Sequence, residues 1–108
     1  MMATIEPYTL IYDIKIRRHL ARIDRRHHRL IQEKIEELLS HAPERETRNR
    51  KPLSRPSVLS TAWELRFGPE NRFRVFYRTD RELRQVNILA IGVKERSRLI
   101  IGGEEFEV

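Results

Sequence analysis

The chain has no cysteine, which excludes a disulfide frame and a thiolate metal site. No apolar run approaches the roughly 20 residues needed to cross a bilayer, and the opening Met1-Met2-Ala3-Thr4-Ile5-Glu6-Pro7 lacks the basic start and long apolar stretch of a secretion signal. The expectation is a cytoplasmic protein without a membrane contact. At 108 residues the chain is too short for two ordinary domains and long enough for one core, so residues 1–108 are read as a single domain. It contains no internal repeat. What it has in excess is positive charge: 22 Lys+Arg against 16 Asp+Glu, a net charge of +6 and a pI of about 10.3. That balance favours nucleic acid, the ribosome, an acidic membrane or an acidic protein as partner, and charge alone does not choose among them.

Periodicity gives the architecture. Tyr8, Leu10, Tyr12 and Ile14 alternate with their neighbours as a first strand does. From Lys15 the spacing changes to three and four, through Ile16, Leu20 and Ile23 and then Leu30, Ile31, Ile35, Leu38 and Leu39, which predicts a helical hairpin. Asp24 can cap the second helix, and the helix must stop before Pro43. Residues 43–61, with three prolines and the cations Arg45, Arg48, Arg50, Lys51 and Arg55, read as a long, mobile, basic loop. Three antiparallel strands follow, divided by turns at Gly68-Pro69-Glu70-Asn71 and Asp80-Arg81-Glu82-Leu83. The third, Gln85 to Ile91, is apolar at both parities, as a central strand is. The fold class is α+β: an N-terminal strand, a helical hairpin and three antiparallel strands, with the helices on one face of a mainly antiparallel sheet.

Within the strands, Trp63, Leu65 and Phe67 alternate with Glu64 and Arg66, and the core-type residues around Val75 alternate with Arg74 and Arg78. This places three arginines on the face away from the core, where a planar guanidinium suits phosphate. Solvated charge on an open sheet face is the competing reading.

In the order and spacing of Lys51-Pro52-Leu53, Trp63-Glu64-Leu65-Arg66, Phe73-Arg74-Val75-Phe76-Tyr77 and Ala90-Ile91-Gly92-Val93-Lys94-Glu95-Arg96, the chain resembles the RelE/ParE superfamily, the toxin halves of type II toxin–antitoxin modules. The resemblance spans nearly the whole chain and implies the same α+β fold. It implies a toxin that enters the ribosome and cleaves mRNA there, a metal-independent endoribonuclease or mRNA interferase with no cofactor, silenced by a cognate antitoxin. A ParE-like inhibitor of DNA gyrase and a degenerate module that only binds antitoxin are the alternatives. Carried across by position, the resemblance makes Arg74, Arg66 and Lys94 the catalytic candidates, with Arg48, Arg50, Lys51, Arg55 and Arg78 as contacts to RNA or the ribosome. Two positions depart from the nuclease pattern: Glu64 stands where a lysine is expected, and the place of a tyrosine falls at Ile100 or Ile101. An antitoxin segment with apolar anchors and acidic side chains is expected to cover part of the positive sheet face.

The remaining signals have ordinary readings. His19, His27, His28 and His41 are expected as solvent-exposed residues, and adjacent His27 and His28 point about 100° apart on a helix, so no metal site is predicted. Arg17, Arg18, Arg22, Arg25, Arg26 and Arg29 either bind phosphates or form a solvated helix face. Trp63 reads as core, and the acidic stretch from Gly102 to Glu107 as a flexible end.

Overall fold

Stripes of two different periods build the two layers of the molecule. The computed structural model describes residues 6–53 and 62–107. In chain order these form β1 (Thr9–Tyr12), α1 (Ile16–Ala21), α2 (His28–Leu39), β2 (Arg50–Pro52), β3 (Trp63–Phe67), β4 (Phe73–Asp80), β5 (Gln85–Glu95), β6 (Arg98–Ile101) and β7 (Glu104–Glu107). All seven strands join one sheet, antiparallel along the path β2-β3-β4-β5-β6-β7, with β1 parallel to β5. The expected α+β class holds; β2, β6 and β7 are strands that the sequence pattern did not disclose.

The hairpin breaks where the capping residue stands. Asp24 accepts a hydrogen bond from the Arg26 backbone N–H at 3.0 Å and starts a single 3₁₀ turn, Arg25–His27, before α2. α2 ends at Leu39, ahead of Pro43, whose carbonyl accepts the Tyr77 hydroxyl at 2.7 Å. Burial raises the Tyr77 pKa, so this phenol stays a donor. Ile31, Ile35 and Leu39, spaced by four, pack with Ile16 and Ile23 against Leu65, Phe73, Val75, Tyr77 and Ile88 on one face of the sheet. A second, smaller cluster on the other face, Phe76, Ala90 and Ile101 with Leu53, Leu99 and Phe106, contains no helix residue among those described.

β5 is central, as its apolar character predicts, but for a different reason than two-sided burial alone. Phe76 pairs with Ala90 and Tyr77 with Ile88, so Leu89 is an extra residue that shifts the phase of the strand. Ile88 and Ile91 therefore both reach the helix-side core despite their odd spacing. The other edge of β5 pairs with β1 at Gln85 to Ile88 and with β6 at Gly92 to Glu95. Between them lies a stretch with no strand neighbour. α1 fills it: His19, 5% exposed, accepts the Ile91 backbone N–H on Nδ1 at 3.2 Å. The expectation that all four histidines face solvent is thus corrected for His19, because a backbone donor inside the sheet must find an acceptor, and for His27 and His28, which are half-buried, the first against the Phe73 ring and the second beside the Ile23 carbonyl.

The stretch expected to be a flexible end is a hairpin. β7 pairs with β6 across Gly102-Gly103, both in the left-handed region (φ +60° and +86°), as a two-residue turn with that twist requires. A Cβ at Gly102 would stand 3.0 Å from the His19 ring, and one at Gly103 would stand 2.8 Å from the Arg22 guanidinium. The turn is pressed onto α1. The expected basic loop is likewise part strand, since Arg50–Pro52 pairs with β3.

His19 gives the fold a pH dependence. To accept from Ile91, Nδ1 must be unprotonated, so the imidazole is neutral with its proton on Nε2. Burial lowers its pKa, Arg18 and Lys15 add to that, and Asp13 and Glu104 oppose it. A lowered native pKa means that the unfolded chain binds the proton more readily. The contribution is fully present above the ordinary value of about 6.5 and is lost as pH falls below it toward the lowered native value, at up to about 1.4 kcal/mol per pH unit. Urea denaturation at pH 7.5 and 5.5 should show this loss, and it should shrink in His19→Gln, whose amide oxygen can accept from Ile91 at either pH.

Candidate functional site

Alternation along β3 and β4 brings the predicted arginines together on the helix-free face. Arg66 lies directly opposite Arg74, and Glu64 lies opposite Phe76 in the next row. Two guanidiniums at adjacent positions repel each other unless an anion joins them. Glu64 is that anion. Its Oε1 accepts from Arg66 Nε at 2.6 Å, and its Oε2 lies 3.4 Å from Arg74 Nη1. The position that departs from the nuclease pattern is therefore the pivot of the cluster.

The two arginines differ in access. The Arg74 side chain is 4% exposed and that of Arg66 40%. The remaining Arg74 bond goes from Nε to the Asn71 carbonyl at 2.9 Å. The turn before β4 presents that carbonyl: Glu70 and Asn71 both adopt left-handed backbone (φ +57° and +53°). Burial lowers the Arg74 pKa, against the opposing charge of Glu64. Arg74, expected as a catalytic residue, is buried and lies against Glu64. Arg66 is the guanidinium that solvent and ligand reach. Its backbone is pinned by Asn49, whose carbonyl accepts Arg66 N–H at 2.8 Å and whose side chain donates to the Arg66 carbonyl at 3.0 Å.

The other candidates fall into three groups. Lys51 pairs with Glu64 in the ladder and is exposed, so it extends the cationic rim from β2. Lys94 lies on β5 two residues beyond Gly92, the partner of Arg74, and half-buried at the margin of the same face. Ile101 pairs with Gly92, so an aliphatic side chain stands where the resemblance implies a tyrosine. Arg48 is exposed in the turn before β2, and Arg78 is exposed farther along β4, opposite Asn87. Arg50 does not belong to the site. It alternates to the core side, buried, and donates to the Ala42 carbonyl, which corrects its assignment as an RNA contact. Arg55 lies outside the described residues. Asn49 and Asn71, which hold the two arginines, carry no sequence signal beyond a turn. Among the described residues, no cluster of three metal-ligating side chains occurs, and no helix is long and apolar enough to cross a membrane.

No protein-family model and no curated protein matches this sequence. Among solved structures, the chain is similar to one in the crystal structure of the toxin–antitoxin complex RelBE2 from Mycobacterium tuberculosis, with a TM-score of 0.68 and 29% identity. The match covers 86% of this chain and 98% of that one. The similarity supports a RelE-like toxin. The cluster contains its own carboxylate, and this has an energetic consequence.

Removing one partner of a buried ion pair strands the other, at a cost of about 3–5 kcal/mol. Glu64→Ala leaves Arg74 buried without an anion and should lower unfolding free energy on that scale, measured by urea titration. Arg66→Ala, which removes an accessible group and leaves Glu64 paired with Arg74, should cost under about 1 kcal/mol.

Proposed function

We propose that this chain is the toxin of a type II toxin–antitoxin module that inhibits translation by cleaving mRNA at the ribosome, and that a cognate antitoxin holds it inactive. The observation that carries this reading is the Lys51–Glu64–Arg66–Arg74 cluster on a sheet face that no helix covers among the described residues. A strand-mounted guanidinium beside an exposed lysine is suited to an RNA phosphate. The similarity to a chain of RelBE2, a toxin–antitoxin complex, supports the antitoxin.

In the reaction proposed, the ribose 2′-oxygen forms a bond to the adjacent phosphorus, and the bond from phosphorus to the 5′-oxygen breaks. The 2′-hydroxyl gives up one proton and the departing oxygen takes one. Arg66, as the catalytic residue, stabilises charge on the phosphorane, with Lys51 and Lys94 holding flanking phosphates. Arg74 is a positioning residue that acts through Glu64. Glu64 is the carboxylate available as proton acceptor within the cluster.

A second reading rests on the same carboxylate. Both Glu64 oxygens already face guanidiniums, which favours a toxin that occupies RNA and blocks translation without cutting it.

Induction in cells separates these readings when protein synthesis, DNA supercoiling and mRNA ends are followed together. Translation should fall first, with new 5′ ends on ribosome-bound mRNA. Arg66→Ala should reduce cleavage roughly 10²-fold, in the range seen when one transition-state donor is removed. Arg78→Ala should alter only affinity and its salt dependence. A translational arrest with intact mRNA establishes the second reading, and collapse of supercoiling while translation continues sinks both.

A further inference from the structure

Besides the groove between α1 and α2, two recesses open beside α1, and His19 stands in the wall of both. One, of about 180 Å³, meets the helix-free face at Ala90, Ile101 and Phe106. The other, of about 250 Å³, meets the core side at Ile23, Ile91 and Val93. The imidazole is the side chain that the two recesses share.

Its ring is committed on one side only. Nδ1 accepts the Ile91 N–H at 3.2 Å, which leaves the proton on Nε2 as a donor. Among the described residues nothing accepts that proton, although His19 is only 5% exposed. A donor so enclosed is satisfied by a guest that enters a recess. The Nε2 edge faces the turn at Gly102, where a Cβ would stand 3.6 Å from Nε2 and 4.0 Å from Arg18 Nε. Ring N–H and guanidinium therefore converge on the same bare turn.

Charge decides which recess is occupied, and by what. Residues 15–29 hold seven cations against the single carboxylate of Asp24. Within this segment, ion pairs among the described residues engage Arg26 and Arg29, and leave Lys15, Arg18 and Arg22 without one. The smaller recess has Lys15 and Arg18 in its wall against Glu104, whereas in the larger Arg22 is balanced by Glu95. Asp13 also acts on the ring, but its carboxylate accepts the Lys15 backbone N–H at 2.8 Å. The smaller recess is thus the electropositive one. Its volume is several times the roughly 30 Å³ share of one water in the liquid. A water there would satisfy Nε2 and leave both cations without an anion.

We infer that the smaller recess is a site for a terminal phosphate, inorganic or at the end of a nucleotide, with His19 Nε2 donating to one oxygen and Lys15 and Arg18 holding the others. The depth of His19 selects a terminal group, because an internal phosphodiester carries a nucleoside on either side and cannot seat an oxygen on a donor inside the recess. None of these residues belongs to the Glu64 cluster, so the inference stands apart from the reaction proposed above.

The test follows the Nε2 resonance of His19 in the isotope-labelled intact chain near neutral pH. Inorganic phosphate and adenosine 5′-monophosphate, each at millimolar concentration and fixed ionic strength, should shift it. Lys15→Ala and Arg18→Ala, both at exposed positions, should each weaken phosphate binding by roughly 10-fold or more, as loss of a hydrogen bond to a charged group does. Glu104→Gln, which removes the opposing carboxylate, should tighten it by roughly 3-fold, the scale of an exposed charge pair. Arg25→Ala, outside the recess, should change it by less than about 2-fold, because solvent and salt screen so distant a charge. A resonance that phosphate leaves unmoved overturns the inference. An equal loss in Arg25→Ala and Arg18→Ala does the same, since it reports a general cationic surface. A dinucleotide with hydroxyl ends, whose one phosphate is a diester, should leave Nε2 unmoved; if it shifts the resonance as strongly as the monophosphate, the recess takes RNA backbone and the inference fails.

Discussion

The fold depends on satisfying both edges of β5. One edge is simple, since β4 runs along it. The other is assembled from three parts: β1, then a histidine from α1, then β6. Each part comes from a different region of the chain, and the extra residue at Leu89 allows all three to meet one strand while its apolar side chains stay on the core side. The helices pack where they do because α1 has to reach into the sheet. The groove between α1 and α2 and the press of the Gly102-Gly103 turn on α1 follow from that position.

On the opposite face the governing term is the cost of burying charge. Arg74 is held away from water, so its guanidinium needs a fixed anion and a fixed carbonyl, which Glu64 and Asn71 provide. This makes the carboxylate structural before it is anything else. The outward-facing chemistry is left to Arg66 and the lysines around it, and a ligand phosphate at Arg66 must share the guanidinium with Glu64. Glu64 thus offsets one of the two guanidiniums beside it, and the charge of Lys51 and Lys94 stays on the surface of this face.

The layers of the fold were legible in the sequence because periodicity reports which side of an element meets the core. The stripe Ile31, Ile35, Leu39 gave α2 and its buried side, and the alternation from Trp63 to Phe67 gave β3 and placed Glu64 with Arg66. Alternation also put Arg74 on the correct face, but a face is not an exposure: whether an arginine there is wet depends on what leans over it and on the Asn71 turn, neither of which has a local signature. Arg50 was misread because a strand of three residues is too short to show its parity. His19 was misread because its acceptor role is set by a donor 72 residues away. The β6–β7 hairpin was obscured by glutamates, which suggest solvent, although Gly102-Gly103 is an ordinary signal for a tight turn.

The bond from Ile91 to His19 also sets the order in which this protein can come into being. α1 is six residues long and shorter than helices that persist alone in water, and the sheet gap that it fills does not exist until β5 and β6 have been synthesised and paired. A chain emerging N-terminus first carries its most cationic segment unseated until β5 and β6 have emerged, and contacts so distant in sequence close late. The core is thus completed by a bond between two regions 72 residues apart, and α1 gains its place only when the sheet does.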